Sequence, residues 1–299
     1  MQRLCLQTRE PQMPDQSERE ALQAAILNSP SYRLAQDDPA FLALDELRAV
    51  RLQLEMLKPE YYLQKHNVRS TVVVFGSARL LPATVARERL EELRLRMREQ
   101  PPDPALAGAL ARASRQCDYA RYYEEARRLT GILSRRFQRE RRRDFVVVTG
   151  GGPGIMEAAN RGAFDADACS VGLNVTLPHE QLPNPFITPE LCFQFRYFGI
   201  RKMQFLMRAK ALVAFPGGYG TLDELFEALT LMQTGKMPRV PVVLVSREFW
   251  SRAIDIDFLV DEGMIGSDDR DLLTVVETAD EVIAALENFY GHHGGRRHA

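Results

Sequence analysis

Two turns in this sequence present glycines where a phosphate would need bare backbone. The stretch at residues 149–163, TGGGPGIMEAANRGA, follows the apolar run FVVV and opens into a helical pattern. Gly151, Gly152 and Gly154 let the chain turn tightly with its N–H groups converging. A helix starting near Pro153 or Gly154 points the positive end of its dipole at the same spot, so the expected ligand is an anion, phosphate first. The spacing is neither G-x-G-x-x-G nor a P-loop ending in Lys and Ser or Thr, so the turn does not advertise a dinucleotide or a triphosphate. Residues 215–236, FPGGYGTLDELFEALTLMQTGK, repeat the plan of strand, turn and helix. Gly217, Gly218 and Gly220 expose backbone donors, and Thr221 stands where a helix N-cap belongs, its hydroxyl able to cap the helix or to bind a phosphate oxygen. Two such turns in one sheet would face each other across a single crevice.

Smaller signals surround them. In FGSAR, residues 75–79, Gly76 permits close backbone approach and Ser77 offers a hydroxyl and an N–H to an anion. Glu224 has two readings, because Thr221-x-x-Glu224 is also the spacing of a capping box, in which the acid serves only the helix start. Asp223 reads as a dipole partner, and Leu222, Leu225, Phe226 and Leu229 form a core stripe. Arg201 and Lys202 precede a Met- and Phe-rich helical stretch that leads into the strand before the second turn, which makes them candidates for the crevice.

The elements that must hold these turns are legible as short apolar runs bounded by turn residues: TVVVF, FVVV, residues 170–175, ALVAF, VPVVLV and residues 272–276. Continuous Val-rich runs without alternation are what strands look like when helices cover both sheet faces. Helical patterns alternate with them at residues 154–166, 199–209, 222–233 and 279–289. The fold class this predicts is α/β, a doubly wound, mostly parallel, Rossmann-like sheet with its ligand at the carboxyl ends of the strands. Residues 1–66 read as an N-terminal helical extension, with Leu42, Leu44, Leu47, Leu52, Leu54 and Leu57 packed on the outside of the main domain. Residues 67–299 read as that domain, with a helical insertion at about 80–143 broken by PPDP.

The bulk numbers narrow the function classes. With 299 residues, 45% hydrophobic and 26% charged, the chain is ordinary globular material, and 39 basic against 40 acidic residues leave a net charge of −1. No field recruits nucleic acid or an anionic membrane, and the arginines crowded between residues 87 and 143 read as a solvated helical face interleaved with Glu. Cys5, Cys117, Cys169 and Cys192 show neither metal-ligand spacing nor a secreted disulfide framework, so they are expected to be reduced thiols. No apolar run approaches the roughly 18 residues of a membrane span, and the N-terminus lacks an apolar targeting core. A cytoplasmic protein without a bound metal is the expectation.

Taken together and in this order, GGGPGIMEAANRGA, the Arg201–Lys202 pair and PGGYGTLDE resemble the LOG family, the cytokinin riboside 5′-monophosphate phosphoribohydrolases, over about residues 68–290. Many bacterial members carry the label "lysine decarboxylase-like". The resemblance implies hydrolysis of the N-glycosidic bond of AMP or a modified adenine nucleotide, giving free base and ribose 5-phosphate, with no cofactor. It implies Arg201 and Glu224 as the catalytic pair and assigns the phosphate to Gly151, Gly152, Gly154, Gly217, Gly218, Gly220 and Thr221; Ser77 and Lys202 join these as phosphate- or nucleotide-binding candidates on their own positions. It also implies a homodimer. This chain has GGGPGIMEA where plant members have a loop closer to GGGSxGLMG, and Arg196, near the expected base pocket, would affect the base preferred. Phe195, Tyr197 and Met203 are candidates to flank the base.

The chemistry asked of those residues is that of glycoside hydrolysis carried to nitrogen: a carboxylate steadies an oxocarbenium-like ribosyl centre or activates water. Two other classes compete. A non-catalytic nucleotide or molybdenum-cofactor carrier would need the glycine turns but no acid poised at the sugar. Single-stranded DNA binding would rest on the Arg-rich insertion alone. A pyridoxal-dependent decarboxylase would need a Schiff-base lysine and a carboxylate for the pyridinium nitrogen, an arrangement the motifs do not suggest.

Overall fold

The computed structural model describes residues 15–99, 103–139, 142–177 and 182–294. Cys5, the N-terminal charges, Pro101 and the tail beyond Gly294 lie outside them. The helices are α1 (Gln16–Leu27), α2 (Pro39–Leu42), α3 (Arg48–Lys65), α4 (Ala83–Glu99), α5 (Pro104–Phe137), α6 (Ile155–Phe164), α7 (Phe198–Met207), α8 (Tyr219–Gln233), α9 (Arg247–Ala253), α10 (Ile256–Asp261), α11 (Ser267–Arg270) and α12 (Ala279–Gly294). The strands are β1 (Thr71–Phe75), β2 (Gln138–Arg139), β3 (Arg142–Arg143), β4 (Val146–Thr149), β5 (Ser170–Val175), β6 (Cys192–Phe195), β7 (Ala209–Ala214), β8 (Val242–Val245) and β9 (Leu273–Val276).

Seven strands form one parallel sheet in the order β6-β5-β4-β1-β7-β8-β9, and β2 and β3 make a separate two-residue ladder. The predicted α/β doubly wound sheet is present, and its main sheet is parallel throughout. Alternate residues of each strand serve opposite cores. Val73, Phe75, Val148, Leu212 and Leu244 pack with Leu63, Phe205, Leu225 and Trp250 on one face. Val72, Val74, Val147, Val213 and Val243 pack with Leu129 of α5, Ile155 of α6 and Val282 of α12 on the other. With both faces dry, each buried valine stabilises by about 2 kcal/mol, which is why the strands tolerate no polar alternation.

The connection from β1 to β4 contains α4 and the 34-residue α5. By contact the chain divides into residues 1–54 and 55–299, with α3 spanning the division. Among the described residues of the first unit no large apolar side chain is buried, and Leu44 and Leu54 are 47% and 52% exposed. Cys117, Cys169 and Cys192 are free thiols. Among the described residues no helix is long and apolar enough to cross a membrane.

Candidate active site

The order of the sheet reverses between β1 and β7, so their carboxyl ends open a crevice, the place where doubly wound sheets hold ligands. The backbone around it is stitched together. Ser77 N–H, after β1, donates to Pro216 O after β7 at 3.0 Å, and Ser77 O accepts from Ile155 N–H at the start of α6 at 3.1 Å. Gly154 has φ +71°, and a Cβ there would stand 2.3 Å from Ser77 O, so only glycine allows α6 to begin this close to the β1 loop.

The other glycines of TGGGPG are committed to the same framework. Gly151 N–H donates to Thr149 Oγ1 at 3.0 Å, and Thr149 Oγ1 in turn donates to Asn160 Oδ1 at 2.7 Å. Asn184 Nδ2 reaches Gly151 O, Gly152 O and Asn160 Oδ1 at 3.2, 3.0 and 2.9 Å. Asn160, with no exposed surface, and Asn184 therefore fix the turn from behind. Neither was singled out by the sequence, although a lone Asn on the apolar face of α6 was a readable signal of a buried polar network. Gly151, Gly152 and Gly154 are buried.

Between the loops lies a cavity of ≈ 560 Å³, of the size that holds a small ligand. Its wall includes Ser77, Gly150, Met156, Arg201, Thr221 and Glu224. The first turn of α8 opens into it: Gly218 is the N-cap, no side chain caps the helix, and Gly218, Tyr219, Gly220 and Thr221 all line the space. Uncapped N–H groups and the positive end of a 15-residue helix thus face the cavity.

That helix start corrects the sequence reading of Thr221. Thr221 is the third residue of α8, not its N-cap, so Thr221 and Glu224 do not form a capping box. Its side chain packs instead against Gly217, where an added Cβ would fall 2.1 Å from Thr221 Oγ1. Glu224 is released from any duty at the helix end and turns into the cavity wall, 7% exposed. Burial lifts its carboxyl to about 7, against the pull of the Arg201 and Lys202 charges.

Arg201 comes from α7. Its Nε donates to Leu173 O at 2.7 Å, its Nη1 stands 4.0 Å from Glu224 Oε1, and its guanidinium lies 5.1 Å from the Phe205 ring centroid and 5.8 Å from that of Phe198. Burial pulls its basicity below the ordinary value, with Glu224 and Asp223 countering, yet a guanidinium stays charged at neutral pH. The start of α7 is held by α3: Glu55 accepts from Arg196 N–H at 2.7 Å and Tyr197 N–H at 3.2 Å, and Gln204 Nε2 donates to Met56 O at 2.9 Å.

The cavity brings together Ser77, Arg201, Gly218, Gly220, Thr221 and Glu224. Gly217 sits directly behind Thr221, while Gly150 is the member of the first glycine run that reaches the lining. Lys202 is elsewhere: its Nζ bonds Asp223 at 2.9 Å and Glu227 at 3.0 Å, tying α7 to α8. The residues expected beside a base are also displaced, since Phe195 is core, Met203 is 49% exposed, and neither they nor Tyr197 and Arg196 line the cavity. Phe198, Phe205, Met156 and Tyr219 supply its apolar surface instead. Phe198 and Phe205 stand three residues before and four after Arg201, one helix face, a spacing that could have found them.

The chain is similar to several known proteins. The family model described as "Possible lysine decarboxylase" matches residues 156–286. The cytokinin riboside 5′-monophosphate phosphoribohydrolase LOG1 of Arabidopsis thaliana is 30% identical over 153 residues, 50% of this chain and 70% of that protein. The phosphoribohydrolase LOG of Oryza sativa subsp. japonica is 32% identical over 149 residues, 48% of this chain and 60% of its own length. A molybdenum cofactor binding protein of Rippkaea orientalis superposes with TM-score 0.44 at 14% identity, covering 74% of this chain and 98% of that one. The residues do not fit the pyridoxal group that a decarboxylase of that description would use. Among the described residues no lysine lines the cavity, Lys202 is held by two carboxylates, and Lys210 is exposed on β7. Among the described residues no cluster of His, Cys, Asp and Glu could hold a metal.

Proposed function

Because this chain belongs to the LOG family of phosphoribohydrolases, we propose that its cavity binds a nucleoside 5′-monophosphate, AMP or a modified adenine nucleotide, and hydrolyses the N-glycosidic bond. The observation that carries this reading is Glu224: a carboxyl buried in a cavity wall, lifted to about 7, and 4.0 Å from the partly buried Arg201. A group that changes charge near working pH suits general base catalysis, and a site that only holds a phosphate has no use for it.

In this reading the phosphate sits on the first turn of α8, met by the N–H groups around Gly218 and Gly220, the Thr221 hydroxyl and Ser77. Gly151, Gly152 and Gly154 act behind the wall, by shaping the turn that delivers Gly150 and Met156. The ribose then lies against Glu224. Its ionised form orients and deprotonates the attacking water, and its charge steadies the oxocarbenium-like sugar as the C–N bond lengthens. Water adds to the anomeric carbon, and the bond pair leaves with the base, which takes up a proton. Arg201 keeps Glu224 in place and favours its ionised form; its high basicity makes it a poor proton donor. Phe198, Phe205 and Met156 offer the base an apolar slot.

Phosphate binding remote from the breaking bond fixes the sugar, so a free nucleoside should react poorly. The test is base release from AMP against adenosine, across a panel of nucleoside monophosphates. Turnover of AMP with little of adenosine supports the reading; equal turnover of both, or of neither, contradicts it. The same proposal describes a cytoplasmic homodimer, checked by cell fractionation and sedimentation.

A further inference from the structure

A second cavity, ≈ 350 Å³, adjoins the first, sharing Ser77 and Arg79 with it and continuing along Pro216 and Gly217. Its opposite wall is α5, which presents Arg112, Arg115, Gln116 and Tyr119. Their spacing of three, four and seven residues places all four on one helix face. Gln116 Nε2 donates to Arg79 O at 3.4 Å, linking that face to the β1 loop, and the Tyr119 ring meets Phe249 edge-on at 6.4 Å to give the hollow an apolar floor.

Four other arginines of the helix are committed to ion pairs. Arg121, Arg127, Arg128 and Arg136 of α5 are each paired with a carboxylate, respectively Glu277, Asp165, Asp280 and Glu287. Among the described residues Arg79, Arg112 and Arg115 have no acidic partner, and all three line this one concavity. Three guanidinium groups without counter-charges around a small hollow match a ligand bearing more than one anionic group. A nucleic-acid track would need cations extending along the surface, but Arg121, Arg127, Arg128 and Arg136 are each held by a carboxylate and the whole chain carries −1.

We propose that the Arg79–Arg112–Arg115 hollow is a second anion site, adjoining the catalytic cavity, for a small phosphorylated molecule with two or more negative groups. This site does not depend on the hydrolase reading. The probe is inorganic pyrophosphate, titrated calorimetrically into the full chain at low ionic strength. An equivalent should bind here in addition to any held at the first turn of α8, and Arg112→Ala/Arg115→Ala should weaken this one roughly tenfold or more with the melting temperature unchanged, because both side chains are exposed. Thr221→Val, in the catalytic cavity, should leave it intact. The proposal fails if no pyrophosphate binds or if sulfate binds equally well at the same ionic strength. It also fails if Thr221→Val abolishes binding while the arginine variant does not, or if a single-stranded oligothymidylate displaces pyrophosphate at lower concentration.

Discussion

Nη1 of Arg201 and Oε1 of Glu224 stand 4.0 Å apart, close enough to attract but not to share a hydrogen bond, with Glu224 buried and the Arg201 side chain 14% exposed. Burial outweighs their pairing on each side: the acid is lifted and the guanidinium lowered, each toward its neutral form. The pair is therefore held by the fold, at a separation that leaves the carboxylate lone pairs for water and sugar.

The first consequence is a pH profile. If ionised Glu224 is the base, kcat/KM for the nucleotide rises with pH along a limb centred near 7, the value at which burial places this carboxyl. Arg201→Ala removes the largest attraction opposing that shift, so its residual activity should show the limb displaced to higher pH. An unmoved limb in a folded Arg201→Ala protein separates the two residues.

Stability should run the other way. A carboxyl lifted from 4.5 to about 7 is protonated more readily in the folded than in the unfolded chain, so folding loses stability as pH climbs through that window and the penalty persists above it. Glu224→Gln removes the penalty. Thermal unfolding should show the variant stabilised by up to about 3 kcal/mol at pH 8 and little changed at pH 4.

The glycines of the two turns divide into two kinds. A Cβ at Gly154 would meet Ser77 O at 2.3 Å and its φ of +71° is unfavourable besides, so Gly154→Ala should lower stability by about 3 kcal/mol or more. At Gly218 and Gly220 a Cβ meets nothing within 4 Å. Gly218→Ala and Gly220→Ala should melt like the parent yet raise KM for the nucleotide several-fold, since the methyl would occupy space the phosphate needs. Melting curves beside kinetics distinguish the two.

Glu55 tests how α3 positions the site. Its carboxylate takes the N–H groups of Arg196 and Tyr197 at the head of the helix that carries Arg201. Glu55→Ala should cost about 1 kcal/mol and reduce kcat more than it raises KM, with partial rescue in Glu55→Gln, whose amide oxygen still accepts.

Much of this was legible in the sequence. Val-rich runs such as TVVVF announce strands covered on both faces, and the turns after them announce the crevice. What was not legible traces to local competition. The edge strand β6 reads CFQF, with Gln194 exposed between buried Phe193 and Phe195, and is too short to stand out from a loop. The run PGGYGTLDE gives two plausible helix starts. Spacing favoured Thr221, but the helix begins at Tyr219 with Gly218 as its cap, which moves Glu224 from helix end to cavity wall. The burial of Gly151 and Gly152 depends on Asn184, far along the chain, which no local pattern reveals.

The most direct test compares base release from AMP by wild-type protein and by Glu224→Gln, each shown to be folded and to bind the nucleotide. The account predicts that the variant binds AMP about as well but releases adenine at least about a hundredfold more slowly, the scale on which a positioned acid–base group acts. Adenine release at the wild-type rate from a fully folded Glu224→Gln protein would contradict it.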